Sequence, residues 1–135
     1  MVKIGNCSII RFGSTWGTTG QDLSIYEKTN MHENITYAAI KRSIIKPIRQ
    51  MASLSWSIQH SREYTLCWWD SGGHVVYQDN QNPVFIRKCS KKIPLKCLEQ
   101  AEEVASTALF LGSDASTFIT SATIMVEGAG LVFKR

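Results

Sequence analysis

The sequence predicts an α/β fold built on parallel strands. Two observations carry the prediction. Short β-branched apolar runs alternate with longer stretches of three- and four-residue apolar spacing, in the order strand, helix, strand, helix, strand. Glycine or small polar residues follow each run, at Gly13, Gly72–Gly73, Gly112 and Gly128. A chain of 135 residues, 44% hydrophobic and 19% charged, fits one small domain.

Cys7 to Phe12 reads as a first buried strand, bounded by Gly5 and Gly13. Ser14 to Asn34, rich in Gly, Thr, Asn and Asp, reads as a loop. Helical spacing begins at Ile35 and runs to about Gln59, with Tyr37, Ile40, Ile44, Ile48 and Met51 on one face. Pro47 lies inside that stretch, where it removes a backbone bond and collides with the Ser43 carbonyl, at a cost of about 3 kcal/mol unless the helix kinks. Tyr64 to Trp69 reads as a second buried strand, closed by a turn at Asp70-Ser71-Gly72-Gly73. Val75 to Pro94 is a loop with a short helix over Val84 to Cys89. Leu98 to Leu111 is the second main helix, with Val104, Ala105, Ala108 and Leu111 on one side. Glu102 and Glu103 suit the dipole of its first turn, and Gly112-Ser113-Asp114 is its expected stop. Thr120 to Val126 is the third strand. No repeat, low-complexity segment or internal linker divides residues 1–135.

Composition narrows the function classes. The net charge of +4 and pI of about 9.0 describe a mildly basic surface. Nucleic-acid binding is the alternative, but Arg42, Lys46 and Arg49 lack interleaved aromatics, and Lys88, Lys91, Lys92 and Lys96 form only a loose cluster. Cys7, Cys67, Cys89 and Cys97 include no Cys-x-x-Cys, and no His stands at metal-ligand spacing to them. Free thiols in a reducing compartment are expected, and no metal. Met1 to Phe12 lacks the apolar core of a signal peptide, and no run of about 18 apolar residues predicts a transmembrane helix. Cytoplasm is the expected location.

The chemistry-bearing residues are Ser14, at the small-residue turn that ends the first strand, and the pair Tyr37 and Lys41. A phenol and an ammonium four residues apart share one helix face. The ammonium favours phenolate over phenol and lowers a tyrosine pKa that starts near about 10. That is how a tyrosine becomes a general acid or base near neutral pH. A helix-surface pair without a task is the alternative reading of these residues alone. Two decoys are set aside. Tyr26 has Asn30, not lysine, four residues on. Gly13-x-x-x-Gly17-x-x-Gly20 follows a strand, but a phosphate loop must open directly into a helix, and Thr18 to Asn34 has no helical periodicity.

Taken in order, these pieces resemble the C-terminal half of the short-chain dehydrogenase/reductases. Ser8-Ile9-Ile10-Arg11-Phe12-Gly13-Ser14-Thr15-Trp16-Gly17 resembles the strand that ends in the family's serine, and Tyr37-Ala38-Ala39-Ile40-Lys41 its Tyr-x-x-x-Lys. Ile93-Pro94-Leu95-Lys96, Glu102-Glu103-Val104-Ala105 and Phe110-Leu111-Gly112-Ser113-Asp114-Ala115-Ser116 resemble the substrate-side segment and its helix. Phe118 to Ser121 and Val126 to Gly128 resemble the closing strand. Asp22 to Glu27 and Asp79 to Pro83 are similar to members of bacterial nonulosonate-sugar and flagellin-modification pathways.

The resemblance implies an incomplete Rossmann-type doubly wound sheet of about three strands and two main helices. It implies that Tyr37 transfers a proton to or from the substrate oxygen. Lys41 lowers its pKa and bonds the ribose of NAD or NADP, Ser14 steadies the carbonyl or alcohol, and Gly72 and Gly73 line the nicotinamide. The family's glycine-rich turn should precede Cys7, but a βαβ unit takes about 30 residues and six stand before the strand, so the dinucleotide-binding half is expected to be missing. Several positions depart from the family pattern: Cys67-Trp68-Trp69-Asp70-Ser71-Gly72 in place of Asn-x-x-x-Pro-Gly, Glu127-Gly128-Ala129 in place of Asp-Gly-Gly, Ser121 for Gly, and Arg42 where a small residue is common.

Two functions compete. One is an NAD(P)-dependent oxidoreductase acting on a small carbonyl or alcohol, sugar-derived by the narrower resemblance, whose stand-alone activity is in question. The other is an inactive fragment or interaction module. It would form homo-oligomers or pair with a full-length relative, because unpaired sheet edges should associate. Poor solubility of the isolated chain is expected on the same ground. Neither nucleic acid nor membrane is an expected partner.

Overall fold

The structure, a computed structural model, describes residues 7–20, 22–29, 35–59, 62–68 and 82–130. Three strands form one sheet in sequence order: β1 (Ser8–Phe12), β2 (Arg62–Trp68) and β3 (Ala122–Val126). Both pairings are parallel, with Ile10 opposite Tyr64 and Tyr64 opposite Ala122. Four α-helices lie among the described residues: α1 (Ile35–Ile45), α2 (Ile48–Gln59), α3 (Pro83–Lys92) and α4 (Ala101–Gly112).

The predicted helix over 35–59 is two helices. The chain turns at Lys46-Pro47, where proline has no N–H to continue the ladder, and the Pro47 carbonyl accepts from Met51 N at 2.9 Å to start α2. The short helix expected over Val84 to Cys89 is longer, spanning Pro83–Lys92. Asn82 caps it by accepting from Val84 N at 2.9 Å, Pro83 takes the first turn where its missing donor is harmless, and Lys91 and Lys92 face the negative end of the dipole. In α4, Glu103 accepts from Gln100 N at 2.7 Å, which satisfies one orphan donor of the first turn. The stop of α4 is corrected in one respect: Gly112 is its last residue and takes no left-handed conformation. Ser113 ends the helix in extended conformation and then caps the next turn by accepting from Ala115 N.

The sheet is covered on both faces, as parallel sheets require. On one face Tyr64 and Leu66 of β2 pack with Val104 and Leu111 of α4, joined by Ile10, Ala122, Ile124 and Val126. On the other, Glu63, Thr65 and Cys67 are buried toward α2, whose Met51 sulfur accepts from Arg11 Nη2. At the strands' N-terminal side, Tyr64 Oη lies 3.2 Å from Ser116 Oγ, and Arg62 donates to the Ser113 carbonyl at 2.8 Å. A second core joins Trp16, Ile25, Phe85, Cys89 and Ile93, with Tyr26, Tyr37, Ala38 and Leu98 at its margin. This core docks the loop after β1 and α3 against α1.

Candidate functional site

The site is assembled at the C-terminal end of β1. There the chain leaves the sheet at Gly13, whose N–H donates to the Leu66 carbonyl. Gly13 has no room for a side chain, because a Cβ would stand 2.7 Å from Cys67 Sγ. Ser14 follows in extended conformation and caps a 3₁₀ turn over Thr15–Gly17, its Oγ accepting from Trp16 N at 3.2 Å. The cap orients the Ser14 oxygen and leaves its hydroxyl proton to be donated elsewhere. Ser14 is fully buried.

The turn lies directly on α1. A Cβ at Gly17 would be 2.8 Å from the Lys41 carbonyl carbon and 2.9 Å from Arg42 N, so backbone meets backbone there. Arg42 Nη1 donates to the Gly17 carbonyl at 3.2 Å. Lys41 Nζ crosses back to the strand end, where it donates to the Phe12 carbonyl at 3.0 Å, and it stands 5.5 Å from the centroid of the Tyr37 ring. Tyr37 itself rests partly buried on the Trp16 core. Ser14 follows β1 at this strand end, Lys41 reaches the same end at Phe12, and the Tyr37 ring lies beside Lys41.

Cys67 closes the floor of this region. Burial pushes its thiol up from 9.0, while the Ser14 backbone N–H and the Lys41 ammonium act in the opposite direction. Sequence reading placed Cys67 only among free thiols and in a departure from the family pattern, and Gly17 in the serine-strand segment and a glycine pattern, without assigning either a contact role. The usable signal was Gly17's place three residues after Ser14, facing a helix that must approach closely. Gly13, Gly17 and Gly20 form no phosphate loop, because the segment continues into 3₁₀ turns rather than a helix N-terminus. Tyr26 packs on Phe85 with ring centroids 5.4 Å apart, as a loop residue. Trp68 closes β2, whereas Trp69, Gly72 and Gly73 lie outside the described residues.

Two lysines of the basic cluster, Lys88 and Lys92, bond back to the 22–29 turn. Lys88 donates to the carbonyls of Ser24 and Glu27 at 2.8 and 2.6 Å, and Lys92 binds the Asp22 carboxylate and Ser24 Oγ. The Lys92 ammonium, aided by Ser24, holds the Asp22 carboxyl down at about 2. These contacts fasten the 22–29 turn to α3.

The family model described as Enoyl-(Acyl carrier protein) reductase matches residues 22–130, most of the chain. The chain belongs to the short-chain dehydrogenase/reductase family. Its Tyr37 and Lys41 fall within the matched span. Post-translational flagellin modification protein A of Campylobacter coli is 33% identical over 125 residues, which is 92% of this chain and 46% of the relative. That similarity agrees with the narrower likeness seen at Asp22 to Glu27. A short-chain dehydrogenase from Leptospira borgpetersenii, solved with bound NAD+, superposes with a TM-score of 0.73 at 23% identity, covering 90% of this chain and 43% of that one. A structure described as a short-chain dehydrogenase/reductase from Burkholderia xenovorans gives 0.77 at 24% identity, covering 100% of this chain and 47% of that one. The chain therefore spans about half the length of these relatives. The two structures share its Rossmann-type α/β architecture. Among the described residues no helix is long and apolar enough to cross a membrane.

Proposed function

We propose that this short-chain dehydrogenase segment carries the proton-transfer and substrate side of an NAD(P)-dependent oxidoreductase site. Tyr37 is the acid or base toward a carbonyl or alcohol, Lys41 tunes it and holds the nicotinamide ribose, and Ser14 donates its hydroxyl to the substrate oxygen. The observation that carries the reading is Lys41 Nζ bonded to the Phe12 carbonyl, which ties α1 to the strand end beside Ser14. An ammonium held at the C-terminal edge of a parallel sheet fits the ribose end of a dinucleotide, since ligands of such sheets bind beyond the carboxyl ends of the strands. A bound nicotinamide supplies or accepts the hydride. The chain's own residues then orient the substrate oxygen and move its proton. Gly72 and Gly73 are proposed to line the nicotinamide from the segment after β2.

The substrate class we favour is a small sugar-derived carbonyl or alcohol. The support is the similarity to a flagellin modification protein. The dinucleotide's adenosine and pyrophosphate are proposed to sit on the half of the family fold that lies outside this 135-residue sequence. The test is a fluorescence titration of NADH and NADPH into the chain alone and into the chain mixed with the nucleotide-binding half of a relative. Binding in the mixture supports the reading, and absence of binding in both settings overturns it.

A second reading is favoured by the exposed apolar groups. No residue of α1 is buried, Ile35 and Ile40 are 82% and 54% exposed, and β1 pairs with β2 alone among the described residues. On that reading the chain is an association module for its own copies or for a full-length relative. Mass measurement by size exclusion with light scattering tests it, and a well-folded monomer that ignores such a relative counts against it.

A further inference from the structure

We propose that Arg42 is a positioning residue that clamps the Ser14 turn onto the helix bearing Tyr37 and Lys41. The inference deepens the oxidoreductase reading and rests on it for its catalytic consequence. The turn after β1 has two supports. On one side Trp16, 3% exposed, is sunk into the core formed with Ile25, Phe85, Cys89 and Ile93. Tyr37 and Ala38 of α1 lie at the margin of that core, so it already draws the turn toward the helix. On the other side Arg42 adds a side-chain bond from α1, its Nη1 donating to the Gly17 carbonyl at 3.2 Å.

Gly17 makes this bond reach Ser14. Its N–H donates to the Ser14 carbonyl at 3.0 Å, and its carbonyl accepts from Arg42. One residue, Gly17, therefore links the serine carbonyl to the helix residue directly after Lys41. The close approach of the Gly17 and Lys41 backbones leaves no slack for a loose fit. A small residue at position 42 would leave that carbonyl to water. A charged donor strengthens the bond, and the guanidinium places it with a rigid fork. Arg42 touches neither substrate nor reacting atoms, so its effect must pass through the turn.

The test uses the full chain with Arg42→Ala, Arg42→Lys and the parent. Hydrogen exchange should quicken about fivefold in Arg42→Ala at the amides of Gly17, Thr18 and Thr19, which bond within the turn, while α4 is unchanged. Arg42→Lys should recover part of the protection, and added guanidinium should restore it to Arg42→Ala. In the assembly with a relative's nucleotide-binding half, kcat should fall by a similar factor with the cofactor KM unaltered. Unchanged exchange in the turn, or a uniform rise across all elements, would overturn the proposal. If the parent assembly turns over no substrate, the oxidoreductase reading falls, and the exchange result still decides whether Arg42 holds the turn.

Discussion

The Gly17 backbone rests against the Lys41 peptide so closely that a methyl group would stand 2.8 Å from the Lys41 carbonyl carbon. Neither partner is a flexible side-chain tip, so the turn or the helix must move. Gly17→Ala should cost about 1–3 kcal/mol in denaturant unfolding, within the range for overpacking. An alanine variant with the parent's midpoint would show that the contact is slack.

Tyr37→Phe removes the proton-transfer group and keeps the ring that packs beside the Trp16 core. In an assembly competent for turnover, kcat should drop about 10²- to 10⁴-fold while NAD(H) binding is retained. Retention of most of the activity would move the acid–base role to another residue.

Ser121 and Ala129 occupy left-handed backbone, with φ of 58° and 66°. A Cβ in that region is strained by about 1–2 kcal/mol, part of which glycine loses again to its greater unfolded freedom. Ser121→Gly and Ala129→Gly should each stabilise by about 0.5–1 kcal/mol. These are the positions where the family pattern carries glycine, and the backbone has kept the conformation that glycine suits. A lower melting temperature in both variants would contradict the strain.

The thiols should separate by reactivity and by pH. Cys97 is exposed and Cys67 fully buried, so iodoacetamide should label Cys97 first and Cys67 only on unfolding. Because burial raises the Cys67 thiol, the folded chain holds that proton longer than the unfolded chain. Its contribution is complete below about pH 9, the ordinary value of 9.0, and is lost as pH rises through the higher folded value. Denaturation midpoints should decline above pH 9, and Cys67→Ala should flatten that decline.

Asp22 gives the opposite slope. Its carboxyl is held at about 2 instead of 3.8 by Lys92, so the stabilisation is complete above 3.8 and fades as pH falls toward 2. Both side chains are about one-third exposed, so the effect should stay below about 1 kcal/mol. Hydrogen exchange over residues 22–29 should quicken in that acid window, and Asp22→Asn should show the fast rate at pH 5 already.

The strands were legible because a parallel sheet covered on both faces leaves short apolar runs, at Ser8–Phe12 and Ala122–Val126, between glycines and polar turns. The helix carrying Tyr37 and Lys41 was legible from its spacing. Its end was not, because periodicity runs on through Ile48 and Met51 while the missing N–H of Pro47 divides the backbone into α1 and α2.

What the sequence determined by itself was local and ordinal: strand–helix alternation, the four-residue step from Tyr37 to Lys41, and the order of motifs that marks the family. Only the tertiary structure decided that Gly17 packs against the Lys41 backbone, that Lys41 reaches the Phe12 carbonyl, and that Cys67 lies beneath Ser14. Those relations join residues 24 to 53 positions apart. They arise when the sheet sets β1 beside β2 and the Trp16 core draws the loop onto α1, and no local pattern records such long-range packing.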